Sequence, residues 1–161
     1  MEYRKATNED LEAIWNKDIA KHPGDVRYVN WKKQYIENNQ NGKCATFVVV
    51  DGTNPIGQIT ILFSPDCSPV KDKPLLCDGV SIANMNAFRI EKQYEGQGHV
   101  SRLVKMAENY AFEHGIKTLT IGAEAKESRN LGIYLHWGYN TFVMHEIYEG
   151  DLVIYYKKEI A

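Results

Sequence analysis

Gly96, Gln97 and Gly98 stand directly before His99, where a helix is expected to begin and to run to about His114. A helix start leaves backbone N–H groups without intrahelical partners and carries partial positive charge. Glycines at that place allow positive φ and let the backbone approach an anion closely. The chemistry on offer is a phosphate cradle, although the same glycines also serve as a plain turn. A Walker A loop is excluded, because no Lys-Ser or Lys-Thr pair follows. A dinucleotide fingerprint fits badly too, since its third glycine would fall at Ser101.

Other reactive side chains give less. Cys44, Cys67 and Cys77 are an odd number, which argues against a disulfide framework and for three reduced thiols. Cys67 and Cys77 bracket a proline-rich loop and can meet there. No CxxC or HExxH motif occurs, so no metal is expected. His136 and His145 read as packed or solvent-facing residues.

The elements around the glycine pair are these. Residues 2–6 form a short strand, and Asn8 is the expected N-cap of a first helix through Leu11, Ile14, Trp15 and Ile19, with Glu9 and Asp10 in its first turn. Pro23-Gly24 breaks it. A second helix covers about 26–37, and 38–42 is a loop. The runs 45–51 and 56–63 form a hairpin. Residues 64–79 hold three of the five prolines and read as a loop, either an inert one or a lid. A strand at 80–90 leads into the glycine pair; a strand at 117–125, a short helix at 128–136 ended by Gly138, and two strands joined at 149–151 complete the chain. The order is β-α-α-β-β-β-α-β-α-β-β. It predicts an α/β (mixed α+β) fold: about seven strands in a central, mostly antiparallel sheet, flanked by about four helices. The 80–125 unit supplies one parallel crossover.

The 161 residues fit one domain, 1–161. A net charge of −2 gives no general attraction for nucleic acid or an anionic membrane, and neither is expected as a partner. No apolar run is long enough to span a bilayer, and the first fifteen residues lack the apolar centre of a signal peptide, so a cytoplasmic location is expected.

The stretch 88–125, FRIEKQYEGQGHVSRLVKMAENYAFEHGIKTLTIGAEA, resembles the acetyl-CoA-binding core of the GNAT superfamily, the GCN5-related N-acetyltransferases. That core reads strand, tyrosine, Q/R-x-x-G-x-G/A, helix, Gly-Ile and strand. IYLHWGY at 133–139 is similar to the family's Y-x-x-x-G-F segment. The motifs cover about 80–140, and the element order of the whole chain agrees. In the ungapped register Tyr94 takes the loop tyrosine's place, Glu95 stands where the family has Gln or Arg, and Val100 stands at the last small position. Gln93-x-x-Gly96-x-Gly98 restores the literal pattern but shifts the helix by two residues.

The resemblance implies direct acetyl transfer from acetyl-CoA to a primary amine of a small molecule or peptide, without an acyl-enzyme. Coenzyme contacts are implied along Phe88, Arg89 and Ile90, at Glu95, Gly96, Gln97, Gly98, His99, Val100 and Ser101, and at Asn130 and Tyr134. Ile90 N–H is the implied donor to the thioester carbonyl and Tyr134 the general acid. Tyr134 also reads as a core aromatic, and His99, where the family has an aliphatic residue, as a packed or solvent-facing one. Glu91 and Glu124 are candidate bases near strand ends, and Asn84 and Asn86 can hold a water. Tyr28 and Trp31, on the second helix, can contact a cationic acceptor or belong to the core. A homodimer across the final strands is open. The alternative is a non-catalytic acyl-CoA-binding sensor domain of the same fold, which Glu95 and Val100 favour.

Overall fold

The computed structural model describes residues 1–161. Seven strands and four helices follow one another as β1 (Glu2–Lys5), α1 (Asn8–Lys21), α2 (Val26–Gln40), β2 (Cys44–Asp51), β3 (Asn54–Leu62), β4 (Ile82–Ile90), α3 (His99–Glu113), β5 (Thr118–Glu124), α4 (Ser128–His136), β6 (Thr141–Tyr148) and β7 (Asp151–Glu159). Every expected element is present. The strands are hydrogen-bonded in the order β1-β2-β3-β4-β5-β7-β6. β1 and β2, β5 and β7, and β6 and β7 run antiparallel, whereas β4 and β5 are parallel, as the crossover requires. The chain forms two compact units, residues 1–60 with 87–107 and residues 61–86 with 108–161. No helix is long and apolar enough to cross a membrane.

In the first unit α1 buries Leu11, Ile14, Trp15 and Asp18, a stripe at spacings of three and four. Ile14 packs on Val48 and Val50 of β2. The N-cap is Thr7 and not Asn8: Thr7 Oγ1 accepts from Asp10 N–H at 3.2 Å, and the Asp10 carboxylate accepts from Thr7 N–H at 2.9 Å. Arg4 holds Asp10 from β1 at 2.9 Å, which selects this register. α2 continues three residues past the expected end, because Asn39 is anchored to β2. Its Nδ2 donates to Thr46 Oγ1 at 3.0 Å and its Oδ1 accepts from Thr46 N–H at 2.9 Å.

In the second unit the proline-rich segment is packed down. Cys67, Val70, Leu76 and Cys77 are buried, so the segment is not an exposed loop along its whole length. Lys73 fastens the segment to Glu146 of β6 at 2.8 Å. All three cysteines are free thiols, and burial pushes that of Cys77 up to about 11. β6 and β7 meet at Glu149 (φ 50°) and Gly150 (φ 84°), two successive left-handed residues of the kind a tight hairpin needs.

Candidate active site

β4 changes character midway. Its ladder with β5 pairs Ile82–Met85 with Thr118–Ile121 and ends there. Two residues later Ala87 has φ 51°, a conformation costly for any residue with a Cβ. Asn86 and Phe88 flank it, both half-buried. Beyond Ala87, Glu91 N–H donates to Ile56 O of β3 at 2.8 Å. Successive strand N–H groups point to opposite edges, so Ile90 N–H is turned away from β3. On the side-chain faces, a Cβ on Gly57 would meet Ile90 Cδ1 at 2.9 Å, so Gly57 is required by this close approach.

The loop that follows has the shape of an anion cradle. Gly96 and Gly98 have φ 74° and 83°. A Cβ on either would meet nothing within 4 Å, so the backbone conformation demands glycine while the space before it stays open. The helical ladder starts with Arg102 N–H to Gly98 O at 3.2 Å, leaving the loop's end and the first turn of α3 ahead of it. No acidic side chain stands in that first turn. These residues fit a coenzyme pyrophosphate. Glu95, Gly96, Gln97 and Gly98 are exposed, Val100 is half-buried and Ser101 exposed.

Two contacts pin the loop at its ends. Tyr94 O–H donates to Asp51 Oδ2 at 2.7 Å, and this bond raises the Tyr94 pKa. His99 is buried, with Nδ1 2.5 Å from Tyr3 Oη on β1. Arg102 lies over the same Tyr3 ring, its Cζ at 4.0 Å from the centroid. The His99 ring is thereby packed against β1, while its backbone N–H belongs to the first turn of α3. Glu91 is held by Lys17 of α1 at 2.7 Å and by Gln93 Nε2 at 3.1 Å. Tyr28 and Trp31 meet edge to face at 4.9 Å, with Arg27 above the Trp31 ring at 5.6 Å and His22 stacked on Tyr28 at 4.1 Å. This aromatic group already has a cation of its own.

In the second unit Tyr134 is buried on α4, its ring 6.0 Å from that of Trp137. Burial pushes its pKa up to about 12 and keeps it protonated. α4 is locked at its C-terminal end. Gly138 adopts φ 95°, and Tyr139 N–H returns to Tyr134 O at 3.0 Å. Tyr139 is fully buried; its O–H donates to Glu108 Oε2 at 2.8 Å, which also takes Lys158 at 2.9 Å. This triad fixes the helix turn that carries Tyr134. Asn130 is exposed on the same helix. Asn84 is buried and donates to Thr120 Oγ1 at 2.9 Å, so its amide nitrogen is engaged within the sheet. Glu124 lies 3.6 Å from Lys126, which turns closer to Asp151, at 3.0 Å.

Sequence reasoning missed Asp18 and Gln58. Asp18 is buried on α1 and ion-paired with Arg89 of β4. Burial draws Arg89 down to about 10, still cationic at neutral pH. A signal for Gln58 was available: it is the one amide inside the apolar run IGQITIL, a strand buried on both faces.

The sequence profile of the Acetyltransferase (GNAT) family matches residues 6–139. No curated protein matches the sequence. Among solved structures, a ribosomal-protein-alanine N-acetyltransferase from Brucella melitensis has the same fold at 16% identity, covering 99% of both chains with a TM-score of 0.69. An aminoglycoside 6'-N-acetyltransferase complexed with coenzyme A aligns at 14% identity, over 100% of this chain and 98% of the other, at a TM-score of 0.69. A spermidine N-acetyltransferase mutant from Vibrio cholerae aligns at 16% identity, over 99% and 95%, at 0.67.

Proposed function

The chain belongs to the GNAT family of acetyltransferases, and from that premise we propose that it transfers acetyl from acetyl-CoA to a primary amine of a small molecule or peptide. The observation that carries the reading is the open loop at Gly96 and Gly98, left-handed backbone ahead of a helix start without acidic side chains. Backbone amides of residues 95–101 hold the pyrophosphate, and the β4 backbone at Phe88–Ile90 holds the pantetheine arm. Gln97, His99 and Asn130 complete the coenzyme contacts. When bound, acetyl-CoA supplies the activated acetyl thioester.

The acceptor nitrogen bonds to the acetyl carbon as the C–S bond breaks. Ile90 N–H, turned away from β3, donates to the carbonyl oxygen as it gains charge. Tyr134 O–H gives its proton to the leaving sulfur. The acceptor's proton leaves through Glu91 or Glu124, or through water held by Asn84 and Asn86. Tyr28 and Trp31 contribute to the acceptor side. The neighbours named for aminoglycoside and spermidine support a small amine as acceptor. Residues 1–161 act as one functional domain.

Glu95 favours a second reading, a domain that binds acyl-CoA without turnover, because its carboxylate stands beside the cradle, exposed. Incubation with acetyl-CoA and a panel of amines, following free CoA thiol, separates the two. Thiol release matched by acetylated amine supports the enzyme. Binding without release on any amine favours the sensor.

A further inference from the structure

Two consecutive residues of α1 grip the end of β4 in the first unit, one on each side of Ile90. Asp18 pairs with Arg89, and Lys17 pairs with Glu91 at 2.7 Å. The two pairs have opposite polarity, so together they add no net charge. Consecutive helix residues point about 100° apart, which lets neighbours on α1 reach two places along a strand. Strand positions 89 and 91 share one face, and Ile90 points from the other, toward Gly57. The backbone around Ile90 is therefore held from both faces: by α1 through its two neighbours, and by β3 through its own side chain.

The Lys17 contact joins three elements. An ammonium has three N–H donors. Here they meet three acceptors: Asn54 Oδ1, Pro55 O at 2.9 Å and Glu91 Oε1 at 2.7 Å. Asn54 and Pro55 open β3, so one cation ties α1 to the start of β3 and the end of β4. Glu91 is fixed at its other atoms as well. Its Oε2 accepts from Gln93 Nε2 at 3.1 Å, and its N–H donates to Ile56 O at 2.8 Å. Stability alone is a poor account of this arrangement. The Lys17 side chain is 37% exposed and that of Glu91 23%, and ion pairs so placed contribute little to folding. What the contact does is fix direction. The β5 ladder ends at Met85, so the last residues of β4 take their position from β3 and α1.

We propose that Lys17 is a positioning residue of the acetyl transfer, which aims the Ile90 N–H by holding Glu91 against the start of β3. The inference rests on the donor role of Ile90 stated above and deepens it. A hydrogen bond weakens steeply as its angle departs from linear, and small misplacements at a reacting group cost much of the rate.

The test is amide NMR on protein labelled with 15N-isoleucine, with the Ile90 signal assigned through Ile90→Val. Saturating acetyl-CoA is compared with saturating CoA, which lacks the acetyl carbonyl. In the wild type the Ile90 amide proton should lie further downfield with acetyl-CoA than with CoA. In Lys17→Met that difference should shrink at least about threefold. The acetyl-CoA Kd should stay unchanged by calorimetry, and Tm should stay within about 3 °C of the wild type. A merely structural Lys17 would lower Tm and leave the difference between the two ligands in place. A full difference retained in Lys17→Met overturns the positioning role alone. No difference in the wild type overturns the Ile90 donor role and this inference with it. Failure of the wild type to bind acetyl-CoA overturns the transferase reading itself.

Discussion

Helices α1 and α3 begin in opposite ways. α1 closes its own start: Thr7 and Asp10 exchange hydrogen bonds, Glu9 and Asp10 oppose the positive end of the dipole, and Arg4 braces Asp10. α3 is entered through two left-handed glycines with open space before them and no acid in its first turn. A start that is capped from within has nothing left for a ligand. One that is left open is fastened at its flanks instead, here by Tyr94 to Asp51 and His99 to Tyr3. The difference separates a helix start closed by its own side chains from one that is left open.

Substitutions can break that contrast. The largest effect is expected from Gly98→Asp, which places a β-carbon at positive φ and a negative charge in the cradle. Acetyl-CoA affinity should fall by about a hundredfold in calorimetry, and an unchanged Kd in a folded variant would contradict the cradle. Tyr134→Phe should lower kcat at least about tenfold with coenzyme Kd nearly unchanged, the signature of a contact made in the transition state. Because burial raises the Tyr134 pKa to about 12, the donor stays protonated across the alkaline range. The pH profile of kcat should therefore show no loss attributable to Tyr134 below about pH 10, and a wild-type alkaline limb near pH 8 that vanishes in Tyr134→Phe would refute this.

Two smaller changes sharpen the comparison. Thr7→Ala should cost about 1 kcal/mol of stability by denaturant titration and leave coenzyme affinity alone, since the α1 cap serves only its own helix. Glu95→Gln should strengthen acetyl-CoA binding by about threefold, more at low salt, by removing a like charge beside the phosphates. Weaker binding on that change would give Glu95 a positive role in the cradle.

The same contrast governs what could be read from sequence. Gly96, Gly98, Gly138 and the Glu149-Gly150 turn announce themselves locally, because left-handed backbone selects residue type. The order of elements and the left-handed turn before α3 were legible for that reason. The N-cap was misplaced by one residue because Thr7 and Asn8 are both good caps, and the reciprocal bonds of Thr7 with Asp10, braced by Arg4, decide between them. α2 outlasts its weak sequence because Asn39 bonds to Thr46 across the fold. Residues 64–79 look like a free loop by their prolines, yet Leu76 and Cys77 are fully buried. Asp18 finds its partner only in Arg89, 71 positions away in the chain. Local conformation is written in residue types; pairing across elements is not.

The open start of α3 is proposed to bind the pyrophosphate of acetyl-CoA. The most direct measurement is a calorimetric titration of the wild-type protein with acetyl-CoA, with ATP and NAD as controls. Saturable binding with a Kd on the order of micromolar is expected for acetyl-CoA, with far weaker binding of both controls. No binding of acetyl-CoA, or equal binding of all three, would contradict it.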